Sequence, residues 1–302
     1  MRIAISGLGR MGNQIAKKLA ENGHEVIAHN RSREPIDNAV NFGAVAAYDK
    51  PSAISAFGDQ PVILWIMIPA KAIESELDNW LEILPKNSII IDGGNSDYRD
   101  DKTRADKVFA AGSKLLDIGT SGGVLGIKNG FSMMVGGDEN SYHVITPILD
   151  TLAAPKGGHQ YFGSNGSGHY VKMVHNAIEY GMMESLAEGY RMLKEGPYDS
   201  LDLASAGDIW QKSSIISSSL NDLTRQAIHE NPNMENVSGV VAESGEARWT
   251  LETADKLGII LPSIQASFDV RLASQKDNVN FATKLLAAMR NKFGGHNING
   301  QQ

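Results

Sequence analysis

The chain has 302 residues, 42% hydrophobic and 21% charged, with a net charge of −7; it is long enough for two domains and ordinary in composition for a soluble globular protein. The acidic balance argues against a nucleic-acid surface and fits a cytoplasmic enzyme of small metabolites, where an anionic substrate needs a local cationic pocket. With no cysteine, disulfides, thiolate nucleophiles and cysteine-ligated metals are excluded, and no apolar run approaches the roughly 18 residues of a membrane span.

The opening Met1-Arg2-Ile3-Ala4-Ile5-Ser6-Gly7 reads as a strand entering a glycine loop, not as a signal peptide. Gly7-Leu8-Gly9-Arg10-Met11-Gly12 then leads into a helix expected over Gln14–Asn22, with Ile15, Ala16 and Leu19 facing inward. Glycines so spaced between strand and helix permit a tight turn, close approach of a pyrophosphate and helix–strand packing, with the helix N-terminus facing the phosphates. Val26–Ala28 is the second predicted strand and ends in His29-Asn30-Arg31-Ser32. A site for NAD usually has an acid there. Here Arg31 can stack on adenine or pair with a 2′-phosphate, and Asn30 and Ser32 can donate hydrogen bonds, which favours NADP over NAD.

Further strands are predicted over Val62–Ile66, Ser88–Ile91, Leu115–Ile118 and Phe131–Val135. Near-continuous apolar strands separated by helices imply a parallel sheet covered on both faces. Ile68, just past the Val62–Ile66 strand, is assigned to the dinucleotide site. Two loops fall at the carboxyl ends of strands, where such sheets place ligands: Asp92-Gly93-Gly94-Asn95-Ser96-Asp97-Tyr98 and Gly119-Thr120-Ser121-Gly122-Gly123. Ser121 with the following amides of Gly122 and Gly123 makes a small nest for a carboxylate. Asn95 suits a place between substrate and nicotinamide. Either loop alone is equally a tight turn.

The pattern changes at 163–166, which divides the chain into residues 1–165 and 166–302. Helices are predicted over Val171–Lys194, Leu201–Leu220, Ala247–Leu257 and Ser263–Arg290, and Asn291–Gln302 reads as an extended tail. Helical rotation puts Lys172, His175, Asn176, Glu179 and Tyr180 on one face. Lys172 and Glu179 stand about 10 Å apart along the axis, a span that could grip both ends of a small substrate. The same stripe also suits an ordinary amphipathic helix. The remaining histidines lack partners at ligand spacing, so no metal is expected.

These motifs, with Gly168-His169-Tyr170-Val171-Lys172-Met173-Val174-His175-Asn176 continuing to Glu179-Tyr180, resemble the decarboxylating 6-phosphogluconate dehydrogenases of the β-hydroxyacid dehydrogenase superfamily. The resemblance spans essentially the whole chain and is closest to the short bacterial form. It implies a Rossmann-type α/β dinucleotide-binding domain followed by an all-α domain for substrate and oligomerisation. It also implies oxidation of 6-phosphogluconate to ribulose 5-phosphate and CO2 in the pentose phosphate pathway, with NADP, or NAD less well. Lys172 would be the base, which requires a neutral amine. Glu179 would be the acid toward C1, and Asn176 and Asn95 would position the hydroxyl and nicotinamide. Ser121, Gly122 and Gly123 would hold the carboxylate, with His175, Tyr180, Arg271, Arg290 and His296 around the substrate. In the family a tail arginine and histidine reach a neighbouring subunit, so a homo-oligomer, dimer or tetramer, with Arg290 and His296 shared is expected. Ser244 and Glu246 depart from the longer enzymes, which carry a lysine and a threonine there; a carboxylate beside phosphate is repulsive. A 3-hydroxyisobutyrate-type dehydrogenase is the alternative, sharing Lys172 but needing neither Glu179 nor the Arg290/His296 pair.

Overall fold

The computed structural model describes residues 1–295 and Ile298. By its contacts the chain divides into Met1–Met173 and Val174–Gln302, and each unit is described by itself.

Among the described residues of the first unit, eight strands form one sheet in the order β3-β2-β1-β4-β5-β6-β7-β8. They are β1 (Arg2–Ser6), β2 (Glu25–His29), β3 (Val45–Ala47), β4 (Ile63–Ile66), β5 (Ile89–Asp92), β6 (Lys114–Ser121), β7 (Ser132–Gly137) and β8 (Gly158–Gly163). Helices α1 (Arg10–Glu21), α2 (Arg33–Val40), α3 (Lys50–Ser55), α4 (Ile73–Leu81), α5 (Tyr98–Ala110), α6 (Gly126–Asn129) and α7 (Glu139–Ala153) connect them. The first six strands run parallel, as their apolar runs imply, but β7 pairs antiparallel with β6. The connection over residues 122–131 is shorter than the crossover of about a dozen residues that a parallel pair requires.

Ile3, Ile5, Ile15, Leu19 and Trp65 are fully buried in one core cluster. Each such side chain contributes roughly 1.5–3 kcal/mol on leaving water. Sequence periodicity passes over β3 and β8. The first is three residues long, and the second is a half-polar strand at the sheet edge whose burial merely alternates.

The division of the chain falls inside α8 (Ser167–Glu195). The second unit continues with α9 (Leu203–Trp210), α10 (Ser219–Glu230), α11 (Glu246–Leu257), α12 (Pro262–Ser274) and α13 (Phe281–Gly294). Two expected long helices are each two. Over Leu201–Leu220 the chain leaves the helix at Ser213, φ +64°, and restarts where the Ser218 hydroxyl accepts from the Asn221 amide. Over Ser263–Arg290 it breaks at Asp277, φ +64°, and restarts at a capping box of Asn280 and Thr283. Apolar spacing alone misses both stops because Ser and Asn can cap a helix from within an otherwise periodic run. The expected extended tail is corrected at its start, since Asn291–Gly294 continue α13. No described helix is long and apolar enough to cross a membrane.

Candidate active site

The glycine loop is built to admit phosphates. Gly7 turns the chain at φ +100°, and a Cβ there would lie 2.4 Å from the Met67 carbonyl oxygen. A Cβ on Gly12 would lie 2.0 Å from the Gly7 carbonyl. Gly9 caps α1 without a side-chain bond, the first turn contains no acid, and the space around Gly9 is open. First-turn amides at the positive end of a helix therefore have no side-chain acceptor, which suits a pyrophosphate. Leu8 is buried, Met11 packs on the core, Arg10 is exposed, and Ile68 packs beside Gly7.

Asn30 bonds within its own loop. Its Oδ1 accepts from the Leu8 amide at 3.0 Å, and its Nδ2 donates to the Ser32 carbonyl and hydroxyl at 3.2 and 2.9 Å. Its amide hydrogens are engaged within the protein, so Asn30 ties the glycine loop to the end of β2. Arg31 and Ser32 are exposed there.

Asn95 is exposed on the turn after β5. Asp92 holds that turn on both sides, accepting from the Gly94 amide at 3.0 Å and the Ser96 hydroxyl at 2.7 Å. Gly119, Thr120 and Ser121 end β6 rather than forming the expected loop. The turn begins at Gly122, φ +133°, and Gly123, φ +51°.

Lys172 on α8 is 7% exposed. A Cβ on Gly119 would come within 2.2 Å of the Lys172 Cβ, so only glycine in β6 admits the lysine stem at this distance. Asp117, also on β6, caps α8 from the sheet. One carboxylate oxygen accepts from the Gly166 amide at 2.9 Å and the other from the His169 amide at 3.0 Å, a charge placed where a helix N-terminus favours it.

Beside this cap lies a buried ionic cluster. His169 Nδ1 is 2.7 Å from Asp101 Oδ2, and Arg104 donates to Asp101 Oδ1 at 3.0 Å. Arg104 also stands 3.8 Å from Asp92. Burial alone would lower the His169 pKa, but the bond to Asp101 and the charges of Asp101, Asp92 and Asp117 raise it. Burial raises that of Asp101, against the pull of His169. Donor atoms of Asp92, Asp101 and His169 lie within 4.8 Å of one another, close enough for a metal, yet the Arg104 guanidinium already supplies positive charge there.

In the second unit, Asn176 Nδ2 donates to Glu246 Oε1 at 2.9 Å, and its Oδ1 lies 3.0 Å from His175 Nδ1. His175 is 4.0 Å from Glu179. Tyr180 is buried, and its hydroxyl accepts from the Ser244 amide at 3.3 Å. The Arg271 guanidinium stacks on the Tyr180 ring, 3.2 Å from its centroid, and is 2% exposed. Burial lowers the Arg271 pKa to about 10, Tyr180 opposing and Arg290 adding to the effect. Arg290 is 7% exposed on α13, its pKa likewise lowered by burial and supported by Tyr180, Glu246 and Glu179. Arg290 thus packs among residues of its own unit. Just past α13, the Ile298 carbonyl accepts from the Ser238 amide of the same unit. His296 lies outside the described residues.

Sequence reasoning missed Asp101, Arg104, Asp117, His169, Glu184 and the bond from Glu246 to Asn176. Asp117 offered a signal, a lone acid inside the apolar Leu115–Ile118 run. The others sit on helices whose spacing reads as an ordinary polar face.

Residues 2–166 match the family described as the NAD binding domain of 6-phosphogluconate dehydrogenase, and residues 168–299 its C-terminal domain. The chain is 37% identical, over 99% of its length and 98% of the relative's, to a Haloferax volcanii protein named as an NAD(+)-dependent, decarboxylating 6-phosphogluconate dehydrogenase. The structure of Plasmodium falciparum 6-phosphogluconate dehydrogenase, described in complex with NADP+ and with 6-phosphogluconate, superposes at a TM-score of 0.80. That comparison covers 96% of this chain and 70% of the other at 26% identity. A Salmonella typhimurium 3-hydroxyisobutyrate dehydrogenase shares the fold at 0.76 and 18% identity, over 95% of this chain and 99% of the other. The chain belongs to the 6-phosphogluconate dehydrogenase family.

Proposed function

We propose that the protein oxidises and decarboxylates 6-phospho-D-gluconate to D-ribulose 5-phosphate and CO2, with NADP as the preferred dinucleotide and NAD as a weaker one. The observation that carries this reading is the pair of buried guanidiniums, Arg271 and Arg290, beside Tyr180 on the helix of Glu179. Burial disfavours the charge of both guanidiniums, and a bound anion would offset that cost. A phosphate dianion supplies that anion, with the planar bidentate match that guanidinium favours.

Gly7–Gly12, Ile68 and Arg31 would hold the dinucleotide, whose nicotinamide would supply the acceptor for the hydride from C3. Lys172, buried with its stem against Gly119, takes the 3-hydroxyl proton. After oxidation the protonated amine donates to the developing enolate oxygen as the carboxylate leaves as CO2. Ser121, Gly122 and Gly123 hold that carboxylate until it departs. Glu179, two helical turns on, serves as the acid toward C1 of the enediol. Asn176, fixed by Glu246, and Asn95 orient the hydroxyl and the nicotinamide. The setting is a cytoplasmic homo-oligomer, dimer or tetramer; Ile178, Met182 and Met192 leave apolar surface exposed on α8.

Glu246 favours a second reading, an unphosphorylated 3-hydroxy acid as substrate. It is 2% exposed, it acts on Arg290, and a carboxylate there opposes a dianion. Measuring CO2 release and reduced dinucleotide with 6-phosphogluconate and with 3-hydroxyisobutyrate, each with NADP and NAD, tests both. Turnover of 3-hydroxyisobutyrate alone would overturn the first.

A further inference from the structure

We propose that His169 is a positioning residue for the oxidation step: as a buried imidazolium it locks the turn carrying Asn95 and the helical turn carrying Lys172 into one fixed arrangement. The inference rests on the role of Lys172 proposed above.

The chain of contacts is continuous and lies within the first unit. Asp92 grips the Asn95 turn from both sides through Gly94 and Ser96. Arg104 stands between Asp92 and Asp101, and Asp101 meets His169 Nδ1. The His169 amide is fixed in turn by Asp117, and Lys172 follows one helical turn later. His169, Asp92, Asp101, Asp117 and Arg104 are all at most 4% exposed.

Charge is what singles out the imidazole. The groups facing it are Asp92 from β5, Asp101 and Arg104 from α5, and Asp117 from β6, which is three carboxylates against one guanidinium. Leaving buried charges unmatched is strongly destabilising, and an imidazolium removes one of the two excess negative charges. Hydrogen bonding alone would not select histidine. Its Nε2 is buried with no partner, whereas a glutamine could donate to Asp101 without carrying a charged ring. A cluster that loses this charge can relax by turning Asp92 outward, and that movement releases the Asn95 turn.

The test compares wild type, His169→Gln, Asp101→Asn and the double variant. His169→Gln keeps a donor and removes the charge. Expected is a fall in kcat of about tenfold or more, roughly 1.4 kcal/mol of barrier, with dinucleotide Kd within about twofold. Removing the matching negative charge in the double variant should recover several-fold of the loss. Hydrogen exchange of the same proteins gives a readout independent of substrate. His169→Gln should raise exchange both in residues 93–97 and in residues 167–173. Faster exchange in 167–173 alone, or a lowered Tm with unchanged kcat, would reduce His169 to local packing and overturn the proposal. Nitrogen-15 NMR of the histidine rings in the wild-type protein decides the charge state even if a variant fails to fold. An imidazolium at pH 8 supports the proposal, and a neutral ring there sinks it. A wild type inactive on 6-phosphogluconate would sink the substrate reading instead, and the exchange and NMR results would still stand.

Discussion

The Cβ of Lys172 rests against the backbone of Gly119, so closely that a methyl group on that glycine would come within 2.2 Å of it. A strand position and a helix position some fifty residues apart in sequence therefore form one steric unit. Precision of this kind matters for a proposed base, because a displacement of about 1 Å can cost on the order of a hundredfold in rate.

Gly119→Ala should accordingly separate placement from stability. The methyl group pushes the lysine stem or the helix away, so kcat should fall at least about tenfold. The dinucleotide loop lies on other strands, and its Kd should stay within about twofold. Steady-state kinetics and a binding titration check this alongside a thermal melt. A protein that loses several degrees of Tm yet keeps its kcat would show that the contact matters for packing alone.

The sheet and the face of α8 were legible because each follows from local periodicity. Apolar runs gave the parallel strands, and the 3.6-residue period aligned Lys172, Asn176 and Glu179. What stayed hidden depends on contacts between distant residues. The reversal of β7 follows from a short connection. Asp117 caps a helix nearly fifty residues further on, and Asp101 reaches His169 across 68 residues. The bonds of Asn30 within its own loop were hidden too. Its residue type suits a ligand, but the Leu8 amide and Ser32 already occupy its side chain.

Lys172→Met should abolish oxidation, leaving less than about one percent of kcat, roughly 3 kcal/mol of barrier. NADP binding should survive, since the phosphates are proposed to lie on the glycine loop. Glu179→Gln should lower kcat more than it raises KM, because its proton is needed late. Residual kcat above that level in Lys172→Met would remove the lysine from the role of base.

Cofactor choice can be shifted without breaking the loop. Asn30→Asp retains an oxygen for the Leu8 amide, and with Arg31→Ala it sets a carboxylate beside the expected 2′ position. The ratio of kcat/KM for NAD over NADP should rise by at least about tenfold. An unchanged ratio in a double variant of normal Tm would place recognition of the 2′-phosphate elsewhere.

Arg290→Met keeps much of the buried volume and removes the charge. If a phosphate is held by Arg271 and Arg290, KM for 6-phosphogluconate should rise about thirtyfold, the equivalent of some 2 kcal/mol for a charge-assisted contact. Activity on an unphosphorylated hydroxy acid should change little. Equal losses on both substrates would show that Arg290 supports the fold of α13 rather than a phosphate.

Glu184 gives the clearest pH dependence. It is buried on α8, and one carboxyl oxygen has no partner. Burial first, and the charge of Glu188 next, raise its pKa from the ordinary 4.5 to about 7, with Arg271 opposing. Below pH 4.5 the folded and unfolded chains both hold the proton, so the group costs nothing. Between that value and pH 7 only the folded chain keeps it, and stability falls as pH rises. Above pH 7 the penalty is complete, at most about 3 kcal/mol and of order 1–2 once partial solvation is allowed for. Glu184→Gln removes the titration. Relative to wild type its Tm should therefore be a few degrees higher at pH 8 than the same comparison gives at pH 5. The difference between the two pH values is the readout, because any cost of an unpartnered amide is common to both. A Tm difference that stays constant from pH 5 to pH 8 would mean that Glu184 ionises freely in the folded protein.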